Sequence, residues 1–234
     1  MLILSLDTST LVGSTAITRD DDIVAESCIN VQRTHAERLL PAIKRMLEEC
    51  GLSFSQIDAV AVTEGPGSFT GLRIGMATAK GICFAADKPI VGISTLAALA
   101  QNLAFARHPV CPVLDAKKKQ VYCGLYRDPG DGLLRMEWSE RAASPEELVR
   151  RITETTIFLG DGMRKYGSML SKALGPKALF APANYHVVRA SNVGRLARRR
   201  LRNGETDDLF TLTPRYLRRS DAEIARDDRQ EQKS

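Results

Sequence analysis

Histidines, paired cysteines and long apolar runs are scarce in this sequence of 234 residues, and each scarcity excludes a class of protein. Its three histidines, His35, His108 and His186, are far apart and form no pair at helical spacing, which disfavours a histidine metal site. Five cysteines without a C-x-x-C motif indicate a reducing cytoplasm rather than a disulfide framework or a structural zinc site. No uncharged run approaches the roughly 18 residues of a membrane-spanning helix, so no membrane location is expected.

Positive charge is concentrated near the C-terminal end. The net charge is +5, and residues 187–234 hold twelve Lys/Arg against eight Asp/Glu. Five of these residues are arginines that lie close together: Arg195, Arg198, Arg199, Arg200 and Arg202. Two interpretations stay open. The cluster is either a patch that contacts nucleic-acid phosphates, which requires Arg and Lys, or a solvated helix face, as most charge runs are.

Hydrophobic periodicity predicts that strands and helices alternate in the first half of the chain. The apolar start is interrupted at Asp7, which indicates a first buried strand and not a signal peptide. Thr34, with Glu37 three residues later, predicts the capping box of a first helix. The predicted elements are strands at 2–6, 14–18 and 23–31, the helix from Thr34, a strand at 58–63, a glycine-rich loop, a helix at 69–86, a strand at 88–93 and a helix that Ser94 caps.

The second half, from Val110, repeats this plan in degenerate form. In both halves an apolar strand ends in an aspartate, Asp7 or Asp115, and a second and a third strand follow. The predicted third strand of the second half is 133–138, followed by a helix start at Ser144, a strand at 156–159 and helices at 164–174 and 190–202. A repeated unit of this size predicts two similar lobes, residues 1–106 and 107–234. The second lobe would carry the basic helix and a polar tail from Asp221. Alternatively, this last helix crosses back to the first lobe.

Five stretches of the sequence resemble the TsaB (YeaZ-type) family of the actin/sugar-kinase/Hsp70 superfamily. They span nearly the whole chain in the expected order, and the longest is specific by itself. The stretches are ILSLDTS at 3–9, THAERLLP at 34–41, GPGSFTGLRIG at 65–75, PVLDA at 112–116 before VY at 121–122, and PRYLR at 214–218. This resemblance implies a two-lobed α/β, ribonuclease H-like fold with duplicated mixed-sheet lobes.

The resemblance implies a role in a complex and no reaction of its own. TsaB-like proteins are similar to TsaD, the catalytic subunit, and pair with it. Together with the ATPase TsaE, this complex transfers a threonylcarbamoyl group to the adenosine next to the anticodon of tRNA. The expected partners are therefore TsaD, TsaE through the complex, a second copy of the chain when it is alone, and tRNA indirectly or weakly.

The positions at which the catalytic relative has its metal and phosphate groups are changed here. The resemblance places Thr95 and Leu99 where TsaD has its two metal-binding histidines, and neither replaces imidazole. The hairpin tips after Asp7 and Asp115 lack the glycine that a close approach to phosphate favours. Gly160-Asp161-Gly162 resembles a remnant of the adenosine loop or is a plain turn. No metal, cofactor or catalytic residue is therefore expected; the alternative is a weak ATPase or phosphotransferase of the same superfamily.

The predicted helix at 69–86 carries the candidate partner interface. Its glycines each cost up to about 1 kcal/mol relative to alanine, which requires a compensating contact. Gly71, Gly75 and Ala79 form a stripe that would admit another backbone, and the opposite face would then meet the internal sheet. The alternative is that the stripe contacts its own lobe. Because TsaB-like proteins are expected to pair through their first two helices, the predicted interface is Arg38, Leu39, Gly71, Leu72, Gly75, Met76, Ala79 and Cys83.

Overall fold

Two mixed β-sheets, one in each half of the chain, organise the fold. The computed structural model describes residues 1–30 and 35–218. The first half contains β1 (Leu2–Asp7), β2 (Val12–Arg19), β3 (Asp22–Asn30), α1 (His35–Glu49), β4 (Ala59–Gly65), α2 (Phe69–Ala86), β5 (Ile90–Ser94) and α3 (Thr95–Ala100). The second half contains β6 (Val110–Lys117), β7 (Gln120–Arg127), β8 (Arg135–Ala143), α4 (Pro145–Arg151), β9 (Thr156–Leu159), α5 (Met163–Leu174), β10 (Ala178–Phe180) and α6 (Ala190–Arg202).

The two sheets have the same topology. Their strand orders are β3-β2-β1-β4-β5 and, read from the opposite edge, β8-β7-β6-β9-β10. In each sheet the central strand pairs antiparallel with the next strand in sequence and parallel with the strand after the following helix. The predicted duplication is therefore confirmed, and each lobe is a three-stranded antiparallel unit extended by parallel strands.

Most predicted elements agree with the structure, and the largest difference is the third strand of the second half. It was predicted at 133–138 but runs over Arg135–Ala143. Leu134 belongs to the turn before the strand, where its side chain is buried and its amide donates a hydrogen bond to the side chain of Gln101. The strand continues through polar residues since β8 lies at the edge of its sheet. The predicted cap at Thr34 and the tail from Asp221 lie outside the described residues.

Helix α6 belongs by its contacts to the first lobe, which is the crossing back that the sequence left open, although the predicted boundary placed it in the second lobe. It packs on β1, β2 and β5, and Val193 and Ala197 are buried there. Helix α3 lies against strands of both sheets, and its Leu96 and Leu99 are fully buried. The boundary at residue 106 therefore separates the two sheets but not two independent packing units. Across the described ranges, the helices are each too short or too polar to span a bilayer.

Candidate functional site

The first hairpin, which in the superfamily would face phosphate, is closed by hydrogen bonds of the chain itself. Asp7, at the end of β1, is fully buried. Its Oδ1 accepts hydrogen bonds from the Ser9 hydroxyl at 2.6 Å and from the Thr63 hydroxyl at 2.7 Å. The Thr8 hydroxyl donates to the carbonyl of Gly71 at 2.7 Å. These polar groups hold the hairpin against β4 and α2, and they are buried where a bound phosphate would need them exposed.

The glycine-rich loop between β4 and α2 packs against this hairpin. The Ser68 amide donates to the Ser9 carbonyl at 2.7 Å, and the Ser68 hydroxyl accepts from the Gly71 amide as the N-cap of α2. On the other side of the loop, the amide of Arg215 donates to the carbonyl of Glu64 at 2.7 Å. The loop is therefore a junction between three segments of the same chain.

The small-residue stripe of α2 faces its own lobe, which contradicts the orientation predicted for a partner interface. A β-carbon at Gly71 would overlap the Thr8 carbonyl oxygen, and one at Gly75 would overlap the Thr8 hydroxyl. Leu72, Met76 and Cys83 are buried with the stripe. The stripe therefore packs against the first hairpin. This agrees with the alternative interpretation of the sequence, in which the stripe contacts its own lobe.

The opposite face of α2 is the exposed one. Ala77, Gly81 and Ala85 lie one helical turn apart and are exposed, and Phe84 beside them retains 73% of its accessible surface. A β-carbon at Gly81 would meet nothing within 4 Å, so no contact of the described chain offsets the cost of this glycine. We call Ala77, Gly81, Phe84 and Ala85 the open face of α2. The charged Arg73, exposed one turn before Ala77, was the sequence signal for this orientation.

Helix α1 contributes one exposed and one buried residue of the predicted interface. Arg38 is exposed, whereas Leu39 is buried in the core of the lobe. Both line a small apolar hollow of about 40 Å³ between α1 and strands β2 and β3. This hollow has roughly the volume of one water molecule and is too small for a nucleotide.

The second hairpin keeps its aspartate in contact with lysines. Asp115 Oδ2 lies 3.1 Å from Lys117 Nζ and its Oδ1 lies 3.5 Å from Lys165 Nζ. Partial burial opposes ionisation, but hydrogen bonds from Lys117 outweigh it and lower the pKa of Asp115. Asp161 accepts from the Asp115 amide at 2.9 Å, and burial raises the pKa of Asp161. The 160–162 segment thus acts as a turn that fixes the end of β6.

Both positions that correspond to the metal ligands of TsaD are inside the protein. Thr95 and Leu99 are fully buried on α3. Within the described part of the chain, His, Cys, Asp and Glu side chains form no group of three or more that would hold a metal ion. The chemistry of these side chains does not fit a zinc or iron site.

We expect the purified protein to contain no stoichiometric zinc or iron. The reason is the replacement of imidazole by a buried threonine and a leucine at 95 and 99. Elemental analysis of protein purified without chelators, before and after zinc is added and the sample desalted, measures this. One tightly retained ion per chain would contradict the expectation.

Comparison with known proteins identifies the family of this chain. A family model described as TsaD, tRNA N6-adenosine threonylcarbamoyltransferase, matches residues 23–226. The tRNA threonylcarbamoyladenosine biosynthesis protein TsaB of Bacillus subtilis is 32% identical, over 95% of this chain and 96% of the relative. Its counterpart in Haemophilus influenzae is 33% identical, over 93% and 94%. The chain belongs to the TsaB family.

Solved structures agree with this membership. YeaZ from Pseudomonas aeruginosa superimposes with a TM-score of 0.78 at 30% identity, over 92% of this chain and 99% of that one. The ethanolamine utilization protein EutJ from Carboxydothermus hydrogenoformans, at 12% identity and a TM-score of 0.51 over 82% and 89%, shows the fold alone. The predicted two-lobed, actin/sugar-kinase/Hsp70-like fold is confirmed.

The PRYLR stretch of this TsaB-family chain joins both lobes. Tyr216 stacks on Phe69 of α2 with ring centroids 4.5 Å apart, and its hydroxyl accepts from Arg73 Nε at 2.9 Å. Arg218 donates to the Ala116 carbonyl of the second hairpin at 2.7 Å. Arg215 forms an ion pair with Glu140 of β8. The motif therefore has a structural role that sequence reasoning did not assign to it.

Glu140 is the centre of a buried polar cluster between the lobes. Its side chain is 2% exposed and accepts hydrogen bonds from the hydroxyls of Ser94 and Tyr126 in addition to the ion pair with Arg215. Burial raises the pKa of the Tyr126 hydroxyl. Arg215 is 44% exposed, but removing it would leave the buried Glu140 carboxylate without its cationic partner. The cluster therefore ties the C-terminal segment to both sheets.

The basic helix α6 is partly structural. Arg198 is buried and forms an ion pair with Asp21, and Arg200 is bound to Asp207 at 2.9 Å. Arg200 also donates to the Gly92 carbonyl at 2.8 Å. Two of the five clustered arginines thus hold α6 and the following segment to the first lobe, and they are not available to an external phosphate.

Proposed function

We propose that this chain is the non-catalytic scaffold and activator subunit of a tRNA threonylcarbamoyladenosine-forming complex. It would pair with TsaD in the cytoplasm, and TsaE would join the pair. The proposal extends to this chain what the names of its relatives state, participation in the biosynthesis of this modified nucleoside. The chain itself would hold and position the catalytic subunit and would supply no reacting group.

The open face of α2 carries this proposal. Gly81 is exposed inside a helix, where glycine costs up to about 1 kcal/mol relative to alanine, and residues 1–30 and 35–218 make no contact that offsets this cost. The exposed phenyl ring of Phe84 lies beside it. A small residue beside a large apolar one forms a groove next to a ridge on the helix surface. A partner helix packs on such a surface by placing its own ridges in the grooves. Arg38 on α1 is also exposed and remains a proposed contact residue, as the sequence predicted.

The absence of catalysis by this chain is supported by the residues at the superfamily's reactive positions. Asp7 is buried and engaged by hydroxyl groups of the chain, and Thr95 and Leu99 provide no metal ligand set. The ATPase or phosphotransferase alternative would need exposed phosphate-binding groups at the first hairpin. Turnover of ATP well above that of an Asp7→Ala variant would favour that alternative.

Without TsaD, we expect the open face of α2 to pair with its copy on a second chain. Exposed apolar side chains are covered most simply by a two-fold contact between identical patches. TsaD would then compete with the homodimer for one surface. The competition follows from the proposal because one face of one helix cannot serve both contacts at once.

Co-purification from the native cell tests the proposed function. We expect the tagged chain to retain the TsaD of that cell in a near-equimolar amount, identified by mass spectrometry, and depletion of the chain to lower the threonylcarbamoyladenosine content of tRNA several-fold. An untagged strain processed in the same way is the control. Normal nucleoside levels after complete depletion, or a stable complex that lacks TsaD, would overturn the proposal.

A further inference from the structure

An open pocket on the second lobe is lined by three arginines and one glutamate. Arg141 comes from β8, and Arg150 and Arg151 come from the last turn of α4. The pocket has a volume of about 290 Å³. Within residues 1–30 and 35–218, no carboxylate lies within 4.0 Å of these guanidinium groups, whereas Arg127 and Arg135 of the same lobe have such partners. The pocket is therefore a local excess of positive charge.

The one acidic residue in the lining is already engaged. The carboxylate of Glu147 accepts a hydrogen bond from the Ser144 amide at 2.7 Å, while the Ser144 hydroxyl accepts from the Glu147 amide at 3.2 Å. This reciprocal pair is the capping box of α4. Glu147 therefore serves the start of the helix. Arg141 donates to the carbonyl and the hydroxyl of Ser139 from Nε and one terminal nitrogen, so its other terminal nitrogen and the guanidinium groups of Arg150 and Arg151 are the donors that line the pocket.

An aromatic ring forms the base of this arginine cluster. The guanidinium of Arg151 lies 4.8 Å from the centroid of Trp138, and that of Arg141 lies 5.7 Å from it. Cation–π contacts at these distances fix the side chains in place without consuming their hydrogen-bond donors. Arginines held beside an aromatic ring are the combination that proteins use to bind the backbone and bases of RNA.

Helix capping alone does not account for the cluster. Basic residues in a last turn complement the helix dipole, which explains the sign of Arg150 and Arg151. It does not explain why Arg141, from an edge strand, converges on the same ring and pocket. The convergence of two elements on one solvent-facing pocket indicates a binding surface.

We propose that Arg141, Arg150 and Arg151, with Trp138, bind the phosphodiester backbone of tRNA. A free phosphate ion would meet the same guanidinium donors, since arginine also binds phosphate. A polyanion gains more from such a surface, because each neutralised phosphate releases condensed counterions. The inference uses the tRNA of the proposed function as its ligand but does not depend on pairing with TsaD.

Trp138 is the sole tryptophan of the chain and reports directly on this pocket. The test is a titration of the purified full chain with a tRNA transcript, followed by tryptophan emission and by the anisotropy of labelled transcript. We expect a saturable change in emission with the same Kd as the anisotropy. Inorganic phosphate at the same ionic strength is the second arm, and we expect it neither to change the emission nor to displace the transcript at millimolar concentration.

Paired charge reversals locate the contact. Arg150→Glu with Arg151→Glu is expected to raise the Kd for tRNA at least about tenfold and to lower the slope of log Kd against log salt by about two. The matched control is Arg45→Glu with Arg135→Glu, which changes the net charge equally at exposed arginines that have carboxylate partners. We expect the control to change the Kd less than about threefold.

Several results would overturn the proposal. One is an equal loss of affinity in both pairs, which would mean that only net charge matters. Another is a loss confined to Arg199→Glu with Arg202→Glu, which would assign binding to α6. Saturation without a change in Trp138 emission, or displacement of the transcript by phosphate, would also contradict it. Circular dichroism of each variant confirms that it is folded, and Arg150→Lys with Arg151→Lys restores binding if the charge is the cause.

Discussion

Gly71→Ala is expected to destabilise the chain by about 2–3 kcal/mol, although the same change in a helix normally stabilises. The added β-carbon would overlap the carbonyl oxygen of Thr8, a backbone atom held in the first hairpin. Overpacking typically costs about 1–3 kcal/mol. Because the clash is with a backbone atom that cannot rotate away, we expect about 3 kcal/mol, less a gain of up to about 1 kcal/mol from helix propensity. For a chain of this size, the melting temperature should fall by about 5–10 °C.

The matched control for this prediction lies in the same helix. Gly81→Ala makes the same chemical change where a β-carbon has no neighbour within 4 Å, so we expect a rise of up to about 1 kcal/mol in the free energy of unfolding. Urea denaturation of both variants, with the m-value compared to wild type, measures the two changes on one scale. Equal effects of the two substitutions would show that the stripe does not seat the first hairpin.

Gly81→Leu is expected to leave the chain folded and to weaken its pairing with TsaD roughly tenfold to a hundredfold. The leucine would project from the open face of α2 into the position of a partner helix, and overpacking of about 1–3 kcal/mol corresponds to this range of Kd. The dissociation constant of the homodimer should rise by the same factor. Light scattering of the chain alone, and isothermal titration with TsaD, measure the two effects.

Gly167→Leu is the matched control for pairing. Gly167 is also a helix-interior glycine, but it lies on α5 in the second lobe, where a β-carbon would be in ordinary contact at 3.9 Å from Phe180. We expect it to dimerise and to bind TsaD as the wild type does. If Gly81→Leu folds, dimerises and binds TsaD normally, the interface is not the open face of α2.

The opposite faces of α2 explain how one glycine-containing helix would serve two purposes. Gly71 and Gly75 admit the Thr8 side chain and backbone, which fixes the first hairpin against the helix. Gly81, three residues before Phe84, faces solvent. A catalytic relative needs that hairpin open to a phosphate, whereas a scaffold can fill it with its own hydroxyl groups. The rigid hairpin and helix would then present the proposed docking surface in a fixed orientation.

The C-terminal segment adds a constraint that lies far away in the sequence. Tyr216 and Arg215 fasten the start of α2 and the buried Glu140 to each other across the two lobes. The orientation of α2 relative to the second lobe therefore depends on a segment that follows both sheets. The proposed interface on α2 and the proposed binding pocket beside Trp138 would therefore belong to one connected structure.

The sequence by itself determined the two-lobed plan of this chain. Hydrophobic periodicity and the repeated strand–aspartate–hairpin unit predicted both sheets, because these signals are local and each lobe repeats them. The helix at Phe69–Ala86 and the strand at Thr156–Leu159 were predicted at their observed bounds. The expectation that no metal is bound rests on residue type alone, since threonine and leucine cannot replace histidine.

Only the tertiary structure decided which face of α2 is buried and where α6 lies. Both faces of α2 carry small residues at helical spacing, so the pattern is nearly symmetric, and the contact with Thr8 breaks the symmetry. Helix α6 packs on β1 although almost 200 residues separate them. Such long-range contacts leave no local pattern, because each surface needs only to be apolar and of complementary shape. The sequence shows that α6 and β1 each have an apolar face, but it does not show that these two faces contact each other.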